Sequence, residues 1–249
     1  MARRIAFLLV LVLAASLGGS VRARSAPVTA PVVQMVEKPA VKPLVRHRRP
    51  QRGTLVASVR PGHVVLLRSA RRGPVVARLT SRTEFGSPQS FAVTRLFPGR
   101  RYQVLSTDLQ NGRTGWIDAA PGTFTLSHAH VSLEVDLSAR LLSVHRGTRV
   151  TRMIRLGIGA PGTPTPIGRF AVTDKLNGAA YSPVYGCCIL ALSAHQTHLP
   201  SGWTGGDRIA IHGGSTGGAV TTGCLHASTV ALRYLMRSVP LGAQVVIHP

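Results

Sequence analysis

Only three cysteines occur among the 249 residues. That excludes a disulfide framework, which needs several pairs, and an odd count leaves one thiol free in a monomer. Acids are scarce too: eight Asp and Glu stand against 30 Lys and Arg. No pair of carboxylates at working distance can be identified, which disfavours glycosidase chemistry. The adjacent Cys187 and Cys188 have no second pair nearby, so they make a poor zinc site, and no metal is expected. Beyond the first 25 residues no apolar run is long enough to cross a bilayer. No internal repeat appears.

What is present begins with Met1-Ala2-Arg3-Arg4, an apolar run from Ile5 to Ala15, and small residues at Ser16, Gly18, Gly19 and Ser20. A basic head, an apolar stretch and small residues are the parts of a secretory signal. Residues 1–25 are therefore expected to be a signal peptide and the protein to be exported, to the periplasm or the cell wall. No cysteine near the expected cut offers a lipid attachment point. Residues 26–53 repeat X-Pro steps and end in an Arg cluster at 46–52, without a period that could bury a face, so they read as a solvated linker. The net charge of +22 points to anionic neighbours such as wall polymers or a membrane surface, or serves only solubility. Export argues against nucleic acid.

The rest reads as mainly β. Between 54 and 122, short apolar runs at 55–59, 64–67, 75–79, 101–105 and 114–117 are separated by Pro-Gly and Asn-Gly turns. Such spacing suggests a small barrel or sandwich. The order of Tyr102-Gln103-Val104, an Asn-Gly turn and Gly115-Trp116-Ile117 resembles a bacterial SH3-like domain. Its aromatics Trp116 and Tyr102 are read as packing residues. From 129 to 249, strands are expected at 131–137, 141–145, 150–156, 169–173 and 245–247, with one helix at 228–237. Its helix-spaced apolar face is assigned to Val230, Tyr234 and Arg237, with Leu232, Leu235 and Met236.

Chemistry concentrates between Ile209 and His226. An apolar run delivers His212; a glycine-rich loop follows; Cys224 then sits behind Gly223. A thiol beside an imidazole is the minimum kit for acyl transfer, because the base takes the proton and the thiolate attacks a carbonyl. Gly223 lets backbone approach a substrate oxygen, so the N–H groups of Gly223 and Cys224 are candidate oxyanion donors.

Five ordered blocks resemble the L,D-transpeptidase (YkuD-type) catalytic domain. They are Val135-Asp136-Leu137-Ser138, Gly159 with Thr163 to Phe170, Ile209 to Gly213, Thr221 to Leu225, and Pro240 to Ile247. The resemblance implies a β-sandwich with one C-terminal helix, preceded by the SH3-like barrel. It implies that Cys224 attacks the carbonyl between the third and fourth residues of a peptidoglycan stem peptide, expelling the terminal D-residue. An amine from a second stem then resolves the acyl-enzyme into a 3→3 cross-link. By the same resemblance His212 is the base, the Gly213 carbonyl orients it, Thr221, Thr222, His226 and Tyr185 contact substrate, and no cofactor is needed.

The chain also departs from the family pattern. Thr221-Thr222-Gly223 stands where Ser-His-Gly is usual, so Thr222 supplies no imidazole. His226 stands where Arg or Asn is usual, and it replaces a carboxylate-binding cation only when protonated. The loop from His212 to Cys224 is shorter than usual. Two alternatives stay open: an L,D-carboxypeptidase that uses water, and a catalytically weak wall-binding module. Cys187 and Cys188 are expected to pack rather than to bond. Tyr181 and His195 are expected beside the groove, His128 and His130 at the surface between domains, and Asp136 in a turn with Ser138. The 163–168 loop is expected to shape the fold while lining the cleft.

Overall fold

The computed structural model describes residues 53–249. The expected signal peptide and almost the whole of the 26–53 linker lie outside the described residues. Seven strands form the first sheet: β1 (Thr54–Val59), β2 (Val65–Arg68), β3 (Val75–Leu79), β4 (Ser90–Phe97), β5 (Arg101–Val104), β6 (Gly115–Asp118) and β7 (Phe124–Ala129). Their order is β3-β2-β6-β5-β4-β1-β7, and every pairing is antiparallel. Phe91, Leu67 and Ile117 are buried at its centre. Tyr102 packs on that core, while Trp116 lies against Phe97 with ring centroids 4.7 Å apart.

The second sheet has eight strands. They are β8 (Val131–Asp136), β9 (Leu141–Arg146), β10 (Arg149–Arg155), β12 (Gly168–Asn177), β13 (Cys188–His195), β14 (Arg208–Gly213), β16 (Leu225–Ala227) and β17 (Gln244–His248). Two short strands, β11 (Ile158–Gly159) and β15 (Ala219–Thr221), pair separately. The order is β10-β9-β8-β17-β12-β13-β14-β16. The last strand of the chain thus lies inside the sheet, parallel to β8 and antiparallel to β12. Alternation explains β8: Val131, Leu133 and Val135 face the core, while Glu134 faces solvent. The turn after it is closed by Asp136, whose carboxylate accepts from Ser138 Oγ at 2.7 Å and the Ala139 N–H at 2.8 Å.

The helix α1 (Thr229–Ser238) starts at an N-cap, where Ser228 Oγ accepts from the Ala231 N–H at 3.3 Å. Caps of this kind are worth about 1 kcal/mol. It packs on β13 and β14 through Ala231, Leu232 and Leu235. Val230, assigned to the apolar face by spacing, is 69% exposed. The buried stripe follows 231, 232 and 235, and residue 230 turns away from it.

The two sheets meet at a polar seam. The Asn111 side chain brackets the backbone of His195: its Nδ2 donates to the His195 carbonyl at 2.6 Å, and its Oδ1 accepts the His195 N–H at 2.9 Å. His195 spans the same seam, with Nδ1 2.9 Å from Asp207 and Nε2 2.6 Å from the Thr107 carbonyl. Arg208 meets Glu84, donates to Thr173 Oγ1 at 2.8 Å and lies 3.7 Å from the fully buried Asp174, which also accepts from Thr83. His195, expected at the groove, is therefore a strut between sheets. His128 and His130 are exposed, with ring centroids 6.3 Å apart.

Removing the bracket leaves two backbone groups of His195 without partners, each worth about 1–3 kcal/mol when buried. Asn111→Ala is expected to lower unfolding free energy by about 2 kcal/mol in urea titration. An Asn111→Asp variant keeps the acceptor but sets a carboxylate oxygen against the His195 carbonyl, so it is expected to be no more stable than Asn111→Ala.

Candidate active site

The site is built where β14 and β16 run parallel. Register sets Ile211 against Leu225, His212 against His226 and Gly213 against Ala227. Ile211, Leu225 and Ala227 are sealed in the core under α1. Alternation then turns His212 and His226 to the opposite face. Cys224 lies one residue before the pairing, level with Ala210, and alternation along β14 gives residues 210 and 212 one side. The two imidazoles sit with centroids 4.7 Å apart.

His212 is buried, with Nδ1 2.8 Å from the Gly213 carbonyl. A carbonyl only accepts, so Nδ1 carries the proton and Nε2 keeps its lone pair. Tyr185 meets the same ring edge-on, with centroids 4.9 Å apart. Burial, with His226 nearby, pushes the His212 pKa down to about 4, against the opposing pull of the Gly213 carbonyl. Burial lowers His226 as well. Its Nδ1 is buried against Gly214, where a Cβ would overlap the ring, and has no hydrogen-bond partner among the described residues. At neutral pH both imidazoles are uncharged, so His226 is a polar ring without a standing positive charge.

Cys224 is the free thiol, half-buried. Burial pushes its pKa up, and a backbone hydrogen bond at Ala210 opposes this. Its Sγ donates to the Arg208 carbonyl at 3.9 Å, and no hydrogen bond joins it to His212. The resting pair is thus a neutral thiol and a neutral imidazole.

The loop before Cys224 is tied down by hydroxyls. Thr221 Oγ1 donates to the Cys224 carbonyl at 2.6 Å and accepts the Gly223 N–H at 3.0 Å. The Gly223 N–H, expected as an oxyanion donor, is thereby engaged inside the protein, which leaves the Cys224 N–H of the expected pair. Thr221 is buried and holds the loop rather than facing a substrate. Thr222 is exposed. Thr163 Oγ1 donates to the Thr221 carbonyl at 2.9 Å, which ties the 163–168 loop to the same place.

Cys187 and Cys188 form a disulfide between neighbours in sequence, where packing alone was expected. The peptide that joins them also holds Gly178, whose N–H donates to the Cys187 carbonyl at 3.2 Å. Tyr181, expected beside the groove, packs instead on Phe85, with centroids 6.1 Å apart. Among the described residues no group of three His, Cys, Asp or Glu side chains is arranged to hold a metal.

A buried strand delivering a histidine, a free cysteine just before its parallel partner, and a hydroxyl-braced Gly-Cys turn define a thiol acyltransferase site. Residues 130–247 match the family model of the L,D-transpeptidase catalytic domain, YkuD. This stretch is an L,D-transpeptidase catalytic domain, of the cysteine-dependent acyltransferase class. Among solved structures the chain is similar to an L,D-transpeptidase from Mycobacterium smegmatis, at 18% identity over 55% of this chain and 73% of that one, with a TM-score of 0.39. It is also similar to L,D-transpeptidase 3 from Mycobacterium tuberculosis, at 15% identity over 55% and 74% of the two chains, with a TM-score of 0.38. An Enterococcus faecium L,D-transpeptidase with a C442S substitution aligns at 23% identity over 48% and 50%, with a TM-score of 0.35. No curated protein sequence matches the chain.

The depressed His212 pKa has a consequence for stability. A histidine held neutral in the fold, but charging near 6.5 when unfolded, stabilises fully above 6.5 and loses that contribution as pH falls toward about 4. The loss is about 3 kcal/mol at most. Urea unfolding of the whole protein between pH 7 and 4 is expected to show a steeper decline than the His212→Gln variant. Equal slopes would refute the assignment.

Proposed function

We propose that this protein is an exported peptidoglycan L,D-transpeptidase with Cys224 as nucleophile and His212 as base. The observation that carries the site assignment is the parallel β14–β16 register, which brings a free thiol and an Nδ1-protonated imidazole to one edge of the sheet.

The stem peptide enters with its third-residue carbonyl carbon above Sγ. Turning the thiol from the Arg208 carbonyl toward His212 lets Nε2 take its proton as the Sγ–C bond forms. The carbonyl oxygen becomes an oxyanion, which the Cys224 N–H stabilises. Collapse breaks the C–N bond to the terminal D-residue, whose amine takes the proton from Nε2. An amine of a second stem then attacks the thioester and yields its proton to Nε2. The C–S bond breaks, the thiolate is reprotonated, and a 3→3 cross-link remains. Because Cys224 and His212 both rest uncharged, the proton moves together with the attack. Tyr185, edge-on to His212, bounds the base side, and Thr222 and His226 face substrate.

The seven-stranded sheet is read as the SH3-like domain of residues 54–122, with β7 extending it to 129, and residues 129–249 as the catalytic domain. Residues 1–25 act as a cleaved signal and 26–53 as a tether in the periplasm or wall. The positive charge suits anionic wall polymers or a membrane surface, and nucleic acid is not a partner.

Intact mass after incubation with a carbapenem is expected to rise by one acyl adduct, and the Cys224→Ala variant is expected to gain none. An adduct on that variant would sink the assignment. Digested sacculi are expected to yield 3→3 cross-linked dimers; tripeptide monomers alone would mark the carboxypeptidase instead.

A further inference from the structure

The turn that presents Cys224 is held by a residue from another loop. Gln196 follows the end of β13 and is 5% exposed. Its Nε2 donates to the Thr222 carbonyl at 2.9 Å and to the Pro164 carbonyl at 3.1 Å. Its Oε1 accepts the His198 N–H at 3.0 Å, and its own N–H donates to the Asp207 carbonyl at 2.6 Å. One side chain thus ties together the 163–168 loop, the 196–207 loop and the peptide next to the nucleophile. Gly223 has a φ of +113°, and a Cβ there would overlap the Gln196 amide. The glycine before the cysteine and the glutamine fit each other.

A second brace comes from Thr165, also buried. Its Oγ1 donates to the Gly223 carbonyl at 2.9 Å and accepts the Gly159 N–H at 2.9 Å. Together with Thr221, these contacts commit the Thr222 carbonyl, the Gly223 N–H and carbonyl, and the Cys224 carbonyl. Among the described residues no hydrogen bond engages the Cys224 N–H. An oxyanion donor needs this condition: a free N–H on a backbone that cannot reorient when charge develops.

We propose that Gln196 is a positioning residue for acyl transfer, holding the Thr222–Gly223 backbone so that the Cys224 N–H is fixed for the oxyanion, with Thr165 as its second brace. This rests on the acyl-transfer reading above. Only an amide fits the place. A glutamate has the same shape but would set lone pairs against two carbonyl oxygens.

Two reactions of the full-length protein separate positioning from folding. Single-turnover acylation by a carbapenem needs the oxyanion site. Alkylation of Cys224 by iodoacetamide needs only an accessible, ionisable thiol. Gln196→Glu is expected to slow acylation by about 10- to 100-fold while alkylation stays within about twofold of the unaltered protein. Thr165→Val is expected to slow acylation in the same selective way, and Thr165→Ser, which keeps the hydroxyl, to restore it. Should Gln196→Glu fail to fold, the Thr165 pair decides the matter. Unchanged acylation in the folded variants, or an equal fall in both reactions, overturns the proposal while acyl transfer by the unaltered protein stands. If the unaltered protein forms no adduct, the acyl-transfer reading falls, and this proposal with it.

Discussion

The parallel pairing of β14 with β16 is the constraint on which the site depends. A parallel ladder fixes register along its length, and register decides which residues share a face. With Ile211 set against Leu225, the apolar members drop under α1 and the two histidines come to the other side as neighbours. A slip of one residue would bury the imidazoles and expose the leucine. The helix cap at Ser228 directly follows β16, so the element that covers the core also limits how far that strand can slide.

Electrostatically the site is a low-charge place in a highly charged protein. The net charge is +22, yet near the thiol burial dominates: it raises Cys224 and lowers both His212 and His226. Desolvation penalises whichever form is charged, so it pushes acid and base pKa values in opposite directions and disfavours a resting thiolate–imidazolium pair. Cys224 therefore rests as the protonated thiol. His226, which stands where the family resemblance leads one to expect Arg or Asn, belongs to the same pattern, since a neutral imidazole places no permanent cation beside the thiol.

Much of the second sheet was legible because its strands have one wet face. In β8, Val131, Leu133 and Val135 alternate with polar residues and announce the strand. β13 is buried along almost its whole length, so it carries no alternation, and a short continuous apolar run does not distinguish strand from helix. β4 is hidden for a similar reason, its first half being buried on both faces. At the site, Cys224 and His212 stood out by residue type and by the glycines around them. The commitment of the Gly223 N–H to Thr221 did not, because it depends on a hydroxyl rotamer inside one turn. Gln196 left no local signal at all: it acts on Thr222 and Pro164, 26 and 32 residues away in sequence. The bond between Cys187 and Cys188 is hidden too, since adjacency in sequence does not reveal whether two thiols are joined or only packed.

That bond has a bearing on the third sulfur. The chain has three cysteines, and two of them are already joined to each other. With these two joined, a bridge to Cys224 forms only if the Cys224 thiolate opens their bond by exchange, one sulfur taking Cys224 and the other leaving as a thiolate. Burial keeps that thiolate scarce by raising the Cys224 pKa, so the packing that hides the third sulfur also guards the neighbour bond from it.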